Sequence, residues 1–110
     1  MAYDEELADR IRETLQDETE LTERRMFGGL AFLVRGNMAV AASGQGGLLV
    51  HIDPTRAVEW VDGRHVRRME MRGRAMDGWL RVDSDVLDSD RALQQWVARG
   101  VARARSLPPK

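Results

Sequence analysis

The chain has no cysteine, only two histidines (His51 and His65) and a single lysine, Lys110. Without thiols it forms neither a disulfide nor a thiolate metal site. No apolar run reaches the roughly 20 residues needed to span a bilayer, and no N-terminal apolar block has the form of a signal peptide. A cytoplasmic location without membrane contact is therefore expected. Excess charge is missing too: 17 basic residues stand against 18 acidic ones, for a net charge of −1. Together with an isoelectric point near 6.1, this argues against a protein that binds nucleic acid over its whole surface. A composition of 43% apolar and 32% charged residues fits an ordinary soluble globular protein. At 110 residues the chain has room for one core, so a single domain is expected over 1–107, with 108–110 as a proline tail.

The richest stretch runs from Arg24 to Ile52. Gly36-Asn37 lies between two apolar runs and reads as a two-residue hairpin turn, since glycine supplies the positive φ and asparagine tolerates it. If Arg35 opposes Met38, then Leu30, Phe32 and Val34 share a face with Ala39 and Ala41. Ala31 and Leu33 then share the other face with Met38, Val40 and Ala42. Gly44-Gln45-Gly46-Gly47 makes the next turn and places Leu48, Val50 and Ile52 on the first face and Leu49 and His51 on the second. The first face is the richer, so helices should cover it. The second offers Leu33, Met38, Val40 and Leu49, which are the candidate contact residues of a homodimer.

Charge is unevenly spread: residues 1–23 hold 9 acids and 2 arginines, whereas residues 24–81 hold 10 arginines and 5 acids. The acidic segment reads as a helix capped by Asp4, with Leu7, Ala8, Ile11 and Leu15 on its buried face. Asp53-Pro54 starts a short helix with Ala57, Val58 and Val61 on its apolar side and Trp60 near its end; Asp62-Gly63 stops it. Met69-Glu70-Met71 and Trp79-Leu80-Arg81-Val82 read as two further strands joined through Gly73 to Gly78, giving about five strands. A final helix starts near Asp88-Ser89-Asp90, buries Leu93, Trp96, Val97, Val101 and Ala104, and carries Arg99, Arg103 and Arg105 towards its negative end. The fold class expected is α+β: two layers, with N-terminal, middle and C-terminal helices on one face of an antiparallel sheet.

The residues that catalysis would need are not assembled. Gly44-Gln45-Gly46-Gly47 lacks the Lys-Ser/Thr and following helix of a phosphate-binding loop. His51 and Asp53 share a strand face but lack a third metal ligand. Asp83, Asp85 and Asp88 suit turns and caps. No catalytic, cofactor or metal site is expected. Gly28-Gly29 marks a bulge or a close backbone approach. Met26, Met38, Met69, Met71 and Met76 suit a core and also an adaptable partner surface. The functional signal is the basic run Arg64, Arg67, Arg68, Arg72, Arg74 and Arg81. Within it, Arg67, Arg68, Arg72 and Arg74 are candidate phosphate contacts, while edge protection is the competing structural explanation.

Several of these motifs occur in a telling order. Arg25-Met26-Phe27-Gly28-Gly29-Leu30, Gly36-Asn37-Met38, Gly47-Leu48-Leu49-Val50, Gly73-Arg74-Ala75-Met76 with Gly78-Trp79, and Leu87-Asp88-Ser89-Asp90 with Leu93 and Trp96-Val97 resemble the TfoX (Sxy) N-terminal domain family. The resemblance implies an α+β fold similar to secretion chaperones, no enzymatic activity, and kinship with regulators of natural competence. Two departures stand out. Ala75 replaces the family's usual proline, and the chain stops at its proline tail where the competence regulators continue into a second domain. The resulting expectation is a regulatory or protein-interaction module, homodimeric, with a protein partner still to be identified. The alternative is a nucleic-acid-associated accessory protein that uses the Arg64–Arg81 segment.

Overall fold

The structure, a computed structural model, describes residues 3–26, 28–71 and 73–109. Its strands are β1 (Leu21–Met26), β2 (Gly29–Val34), β3 (Asn37–Ala42), β4 (Leu48–His51), β5 (Val66–Met71) and β6 (Arg74–Val82). They form one six-stranded antiparallel sheet in the order β1-β2-β3-β4-β6-β5. Three helices accompany it: α1 (Glu5–Thr14), α2 (Ala57–Trp60) and α3 (Asp90–Ser106). The α+β architecture is the one expected, with six strands instead of about five. The added strand, β1, lies at the sheet edge and is exposed from Thr22 to Arg25. A strand that buries so little leaves no period-two apolar signature, while its charges discourage edge-to-edge pairing.

The capping chemistry of the helices is local. Asp4 Oδ1 accepts from the amides of Glu6 and Leu7 at 3.0 and 3.2 Å, and Ser89 Oγ accepts from that of Ala92 at 3.3 Å. On α3, Leu93, Trp96, Val97, Gly100 and Ala104 recur at helical spacing and form the buried stripe. Leu93, Trp96 and Val97 meet Leu7, Ala8 and Ile11 of α1 and the sheet residues Leu30, Phe32, Val40, Ala42, Leu48, Val50, Leu80 and Val82 in one core, while Ala104 packs with Val34 and Ala39 in a smaller cluster. The Arg12 guanidinium clamps α1 to the edge strand: its Nε and Nη2 reach the Glu23 carboxylate at 2.8 and 2.9 Å. That paired hydrogen bonding holds the Glu23 carboxyl below its ordinary range.

The β2–β3 hairpin departs from the expected pairing in two ways. Val34 pairs with Asn37, so the turn residues are Arg35 and Gly36, both at positive φ (56° and 84°). This displaced turn alone preserves the expected sharing of faces, because it moves the partner by two residues. A register shift then intervenes: Leu33 pairs with Met38 but Phe32 with Val40, leaving Ala39 as an extra residue on β3. Beyond the bulge every side chain of β3 changes face. Val40 and Ala42 therefore lie in the helix-covered core and Ala41 lies on the opposite face. Val40, expected in the dimer patch, is fully buried under the helices.

The remaining connections are tighter than the sequence suggests. Asp53 Oδ1 accepts from the Thr55 amide and hydroxyl at 3.0 and 2.8 Å, starting a 3₁₀ turn with Pro54 at its head. The following α2 is a single turn, so Ala57 is buried while its neighbour Val58 stays 74% exposed. Met71 pairs with Arg74, which makes the β5–β6 turn short, and Gly78 falls inside β6 at φ 89°. Gly29 is a point of close approach, since a Cβ there would collide with Ala42 O. Asp62 Oδ1 collects the amides of Arg64, His65 and Val66 at 2.8, 2.8 and 2.9 Å, which lowers its carboxyl pKa to about 2.

Two measurements test this packing. A Cβ at Gly100 would sit 2.7 Å from Val40 Cγ1 and collide with Ala39 O. Gly100→Ala gains roughly 1 kcal/mol of helix propensity but incurs an overpacking cost of roughly 1–3 kcal/mol against backbone that cannot yield. Net destabilisation in urea unfolding is expected; a more stable variant would refute the contact. Asp62→Ala should lower the melting temperature at neutral pH. Because the folded carboxyl pKa is depressed, its contribution is present above the ordinary value of 3.8 and is lost as pH falls through about 2. The gap between parent and variant should close over that window, and a gap independent of pH would show that the charge is irrelevant.

Candidate functional site

Hydrogen-bond register assigns the side chains of the sheet to its two faces. One row runs Glu23, Phe32, Val40, Val50, Leu80, Arg68 and continues the covered core out to both edges. The next runs Arg24, Ala31, Ala41, Leu49, Arg81, Arg67 and belongs to the face away from the helices. On that face Ala31, Ala41 and Leu49 form a small buried cluster, with Met26, Leu33, Met38 and Met69 packed half-buried around it. Small residues at the centre and larger ones around them produce a shallow apolar floor.

Two depressions open on this floor. One, of about 620 Å³, is lined by Arg24, Met26, Leu33, Met38, His51 and Trp79 and by Leu107 to Pro109 of the C-terminal segment. His51 and Trp79 are cross-strand partners whose rings stack at 4.2 Å with a 4° interplanar angle. His51 Nδ1 lies 2.9 Å from the Met38 carbonyl oxygen, which can only accept, so that nitrogen carries the proton. Pro108 is fixed alongside, its carbonyl accepting from Asn37 Nδ2 at 2.9 Å. The segment expected to be a tail thus forms one wall of the groove.

The other depression, of about 520 Å³, is lined by Ser43, Gln45, Leu49, Met69, Glu70 and the arginines Arg67, Arg68 and Arg81. Arg81 is committed to the Ser43–Gly47 loop: its guanidinium donates to Ser43 Oγ at 3.2 Å and to Gly46 O at 3.0 Å. Arg67 donates to Asp83 Oδ1 at 3.2 Å, and Asp83 also faces His65 at 3.6 Å. Asp83 is therefore an ion-pair partner as well as a turn residue.

The structure divides the predicted site residues. Leu33, Met38 and Leu49 come together on the open face, joined by Met26 and Met69. Val40 does not, because the Ala39 bulge rotates it into the core. Among the predicted phosphate contacts, Arg67 occupies the open-face row and Arg68 the covered row, with Asp77 at 3.9 Å. Arg74 sits exposed at the hairpin end, and Arg72 lies outside the described residues. The sequence cluster is thus gathered only in part: Arg67, Arg68 and Arg81 border one depression, and Arg74 lies apart from it. Arg24, His51, Trp79 and Arg81 were not among the expected contacts. Period-two spacing already places His51 beside Leu49 on the second face, and the same spacing from Arg81 is the signal for Trp79; Arg24, on the exposed edge strand, has no such signal.

Among the described residues, no group of three or more His, Asp or Glu side chains is placed to hold a metal ion. None of the described helices is long and apolar enough to cross a membrane. Compared with protein-family models, residues 13–104 match that of the TfoX N-terminal domain. No curated protein and no solved structure gives a significant match.

The differing commitments of the arginines predict different costs on removal. Arg81→Ala breaks bonds that brace a glycine-rich loop and should cost about 1 kcal/mol. Arg67→Ala and Arg68→Ala remove exposed pairs and should each cost about 0.5 kcal/mol or less. Thermal melts in which Arg67→Ala falls as far as Arg81→Ala would contradict this division.

Proposed function

We propose, from the premise that this chain belongs to the TfoX N-terminal domain family, that it is a non-enzymatic regulatory module that works by docking a protein surface on the open face of its sheet. In the free protein the occupant is a second copy of the chain. The observation that carries this reading is the apolar floor of Ala31, Ala41 and Leu49 with Met26, Leu33, Met38 and Met69 around it, on which none of the described helices lies. Antiparallel sheets with one wet face alternate apolar and polar residues, and here β2 and β3 place apolar side chains on both faces. Covering such a floor returns the free energy of the hydrophobic effect, and a two-fold axis lets one patch serve both partners.

Contact suits these groups better than chemistry does. They are alanine methyls, thioethers, two leucines and guanidinium groups already bonded to Asp83, Ser43 and Gly46. The same bonding weakens the alternative of a nucleic-acid accessory protein, because Arg67 and Arg81 would have to leave internal partners to reach phosphate. The kinship with competence regulators supplies the regulatory part of the reading.

Light scattering should report about twice the 12.5 kDa chain mass at high micromolar concentration. Leu33→Glu should yield folded monomers by placing an unpaired charge in the contact. Val40→Glu should instead unfold the domain. A folded parent that stays monomeric, combined with a mobility shift of DNA or RNA that weakens with salt, would replace this reading by the nucleic-acid one.

A further inference from the structure

On the other side of the sheet, between the segment after β4 and the outer half of α3, lies a cleft of about 390 Å³. Ile52, Asp53, Arg56 and Trp60 form one wall and Arg99, Arg103 and Ser106 the other. Arg99 and Arg103 are four residues apart on α3, so both guanidinium groups emerge from the same helix face. Arg99 lies over two indole rings, 4.7 Å from the Trp60 centroid and 4.4 Å from that of Trp96. Arg56 lies 4.8 Å from the Trp60 centroid. Two guanidinium groups thereby lie over the Trp60 ring, and that of Arg103 lines the same cleft.

The positive charge here is poorly offset. Arg56 is paired with Glu59, Nε to Oε2 at 3.0 Å. Asp53 is the one carboxylate of the lining; its Oδ1 accepts from the Thr55 amide and hydroxyl, and these bonds, with the charges of Arg103 and Arg56 nearby, hold its pKa below the ordinary value, so it offsets the cluster in part. Among the described residues no carboxylate lies within 4.0 Å of Arg99 or Arg103 to pair with it. Arg103 Nε is shielded from solvent and has no hydrogen-bond partner. A buried guanidinium N–H without an acceptor carries a desolvation cost, and no internal group of the described residues offsets it at Arg103 Nε. Burial, with Arg56 nearby, also lowers the pKa of Arg99 from its ordinary value, the direction expected where like charges converge without a counter-ion.

We infer that this cleft binds the phosphate group of a small phosphorylated compound, held by Arg99 and Arg103, with Arg56, which stays paired to Glu59, adding positive charge beside them. A phosphate dianion offers several acceptor oxygens to converging guanidinium forks, and such charge-assisted bonds are the strong ones. The cleft is larger than a phosphate ion and lies within the size range of small-molecule sites, which leaves room for the group that carries the phosphate. The cation–π contacts fix Arg99 in place before the anion arrives, which reduces the side-chain ordering that binding would otherwise require. The site is independent of the open sheet face and of dimer formation there.

The test uses the full chain with inorganic phosphate and ribose 5-phosphate as probes, followed by calorimetry and by thermal shift against sodium chloride at equal ionic strength. Saturable binding of both probes is expected, with ribose 5-phosphate the tighter. Arg103→Gln, which keeps the helix and most of the stem, should weaken binding by about tenfold or more. In the absence of phosphate the same variant should melt no lower than the parent, since it removes one of three like charges. Arg67→Gln, on the far face, should bind as the parent does. Phosphate acting no differently from chloride, or Arg103→Gln binding like the parent, would overturn the proposal. Binding of inorganic phosphate equal to that of ribose 5-phosphate would overturn the assignment to a phosphorylated compound. A preference for a phosphopeptide or an oligonucleotide over both probes would do the same.

Discussion

The close crossing of α3 over β3 is the contact on which the other features depend. At Gly100 the helix backbone comes so near the strand that no side chain fits, with Ala39 O and Val40 directly beneath. The strand meets this approach with its bulge: Ala39 is an extra residue, and Ala39 and Val40 are both buried on the helix side. A bulge raises local twist and bends the strand. The consequence reaches both faces. Val40 is consumed by the core, Ala41 is delivered to the open face, and the floor there is built of alanine instead of valine.

Elements that bury a stripe and carry a cap were legible. Asp4 with Leu7, Ala8 and Ile11, and Ser89-Asp90 with Leu93, Trp96 and Val97, announce α1 and α3 by spacing and by cap chemistry, and both are in place. Asp53-Pro54 announced the middle helix, although its single turn could not bury Val58. What escaped was non-local. β1 exposes Thr22 to Arg25 and so carries no apolar period. The bulge depends on a helix that arrives some sixty residues later in the chain, and no turn residue between Leu30 and Ala42 records it. One extra residue exchanges the faces of a strand, so an accurate strand assignment still misplaced one of the four patch residues.

The arginines show how little sequence proximity says about shared electrostatics. Arg67 and Arg68 are neighbours, yet strand alternation places them in rows on opposite faces, beside Asp83 and Asp77 respectively. Arg105, near the C-terminal end of α3, is answered by Glu18. Arg12 is answered by Glu23. Within the run that is basic in sequence, Arg67 and Arg68 have carboxylate partners and Arg81 is bonded to Ser43 and Gly46, while Arg64 and Arg74 have no carboxylate within 4.0 Å among the described residues. Arg99 and Arg103 also have none, and they differ from those two in lining one cleft together.

A six-stranded sheet has two faces, and the described residues supply three α-helices, one of them a single turn. All three cover the same side, so the other must be made tolerable to water or be covered by something else. The composition of the open face serves both states. Ala31 and Ala41 offer almost no area of their own, and the flexible thioethers of Met26, Met38 and Met69 pack half-buried against them. Unbranched methionine can lie flat over alanine in the free chain and repack against an incoming surface at small conformational cost, where a β-branched residue would hold one rotamer. Leu33 and Leu49 add fixed apolar area, and His51 stacked on Trp79 provides a rigid wall anchored to the Met38 carbonyl. The adaptable part of the face therefore lies over strands held rigid from behind by α3, so a partner can reshape the surface without disturbing the fold beneath it.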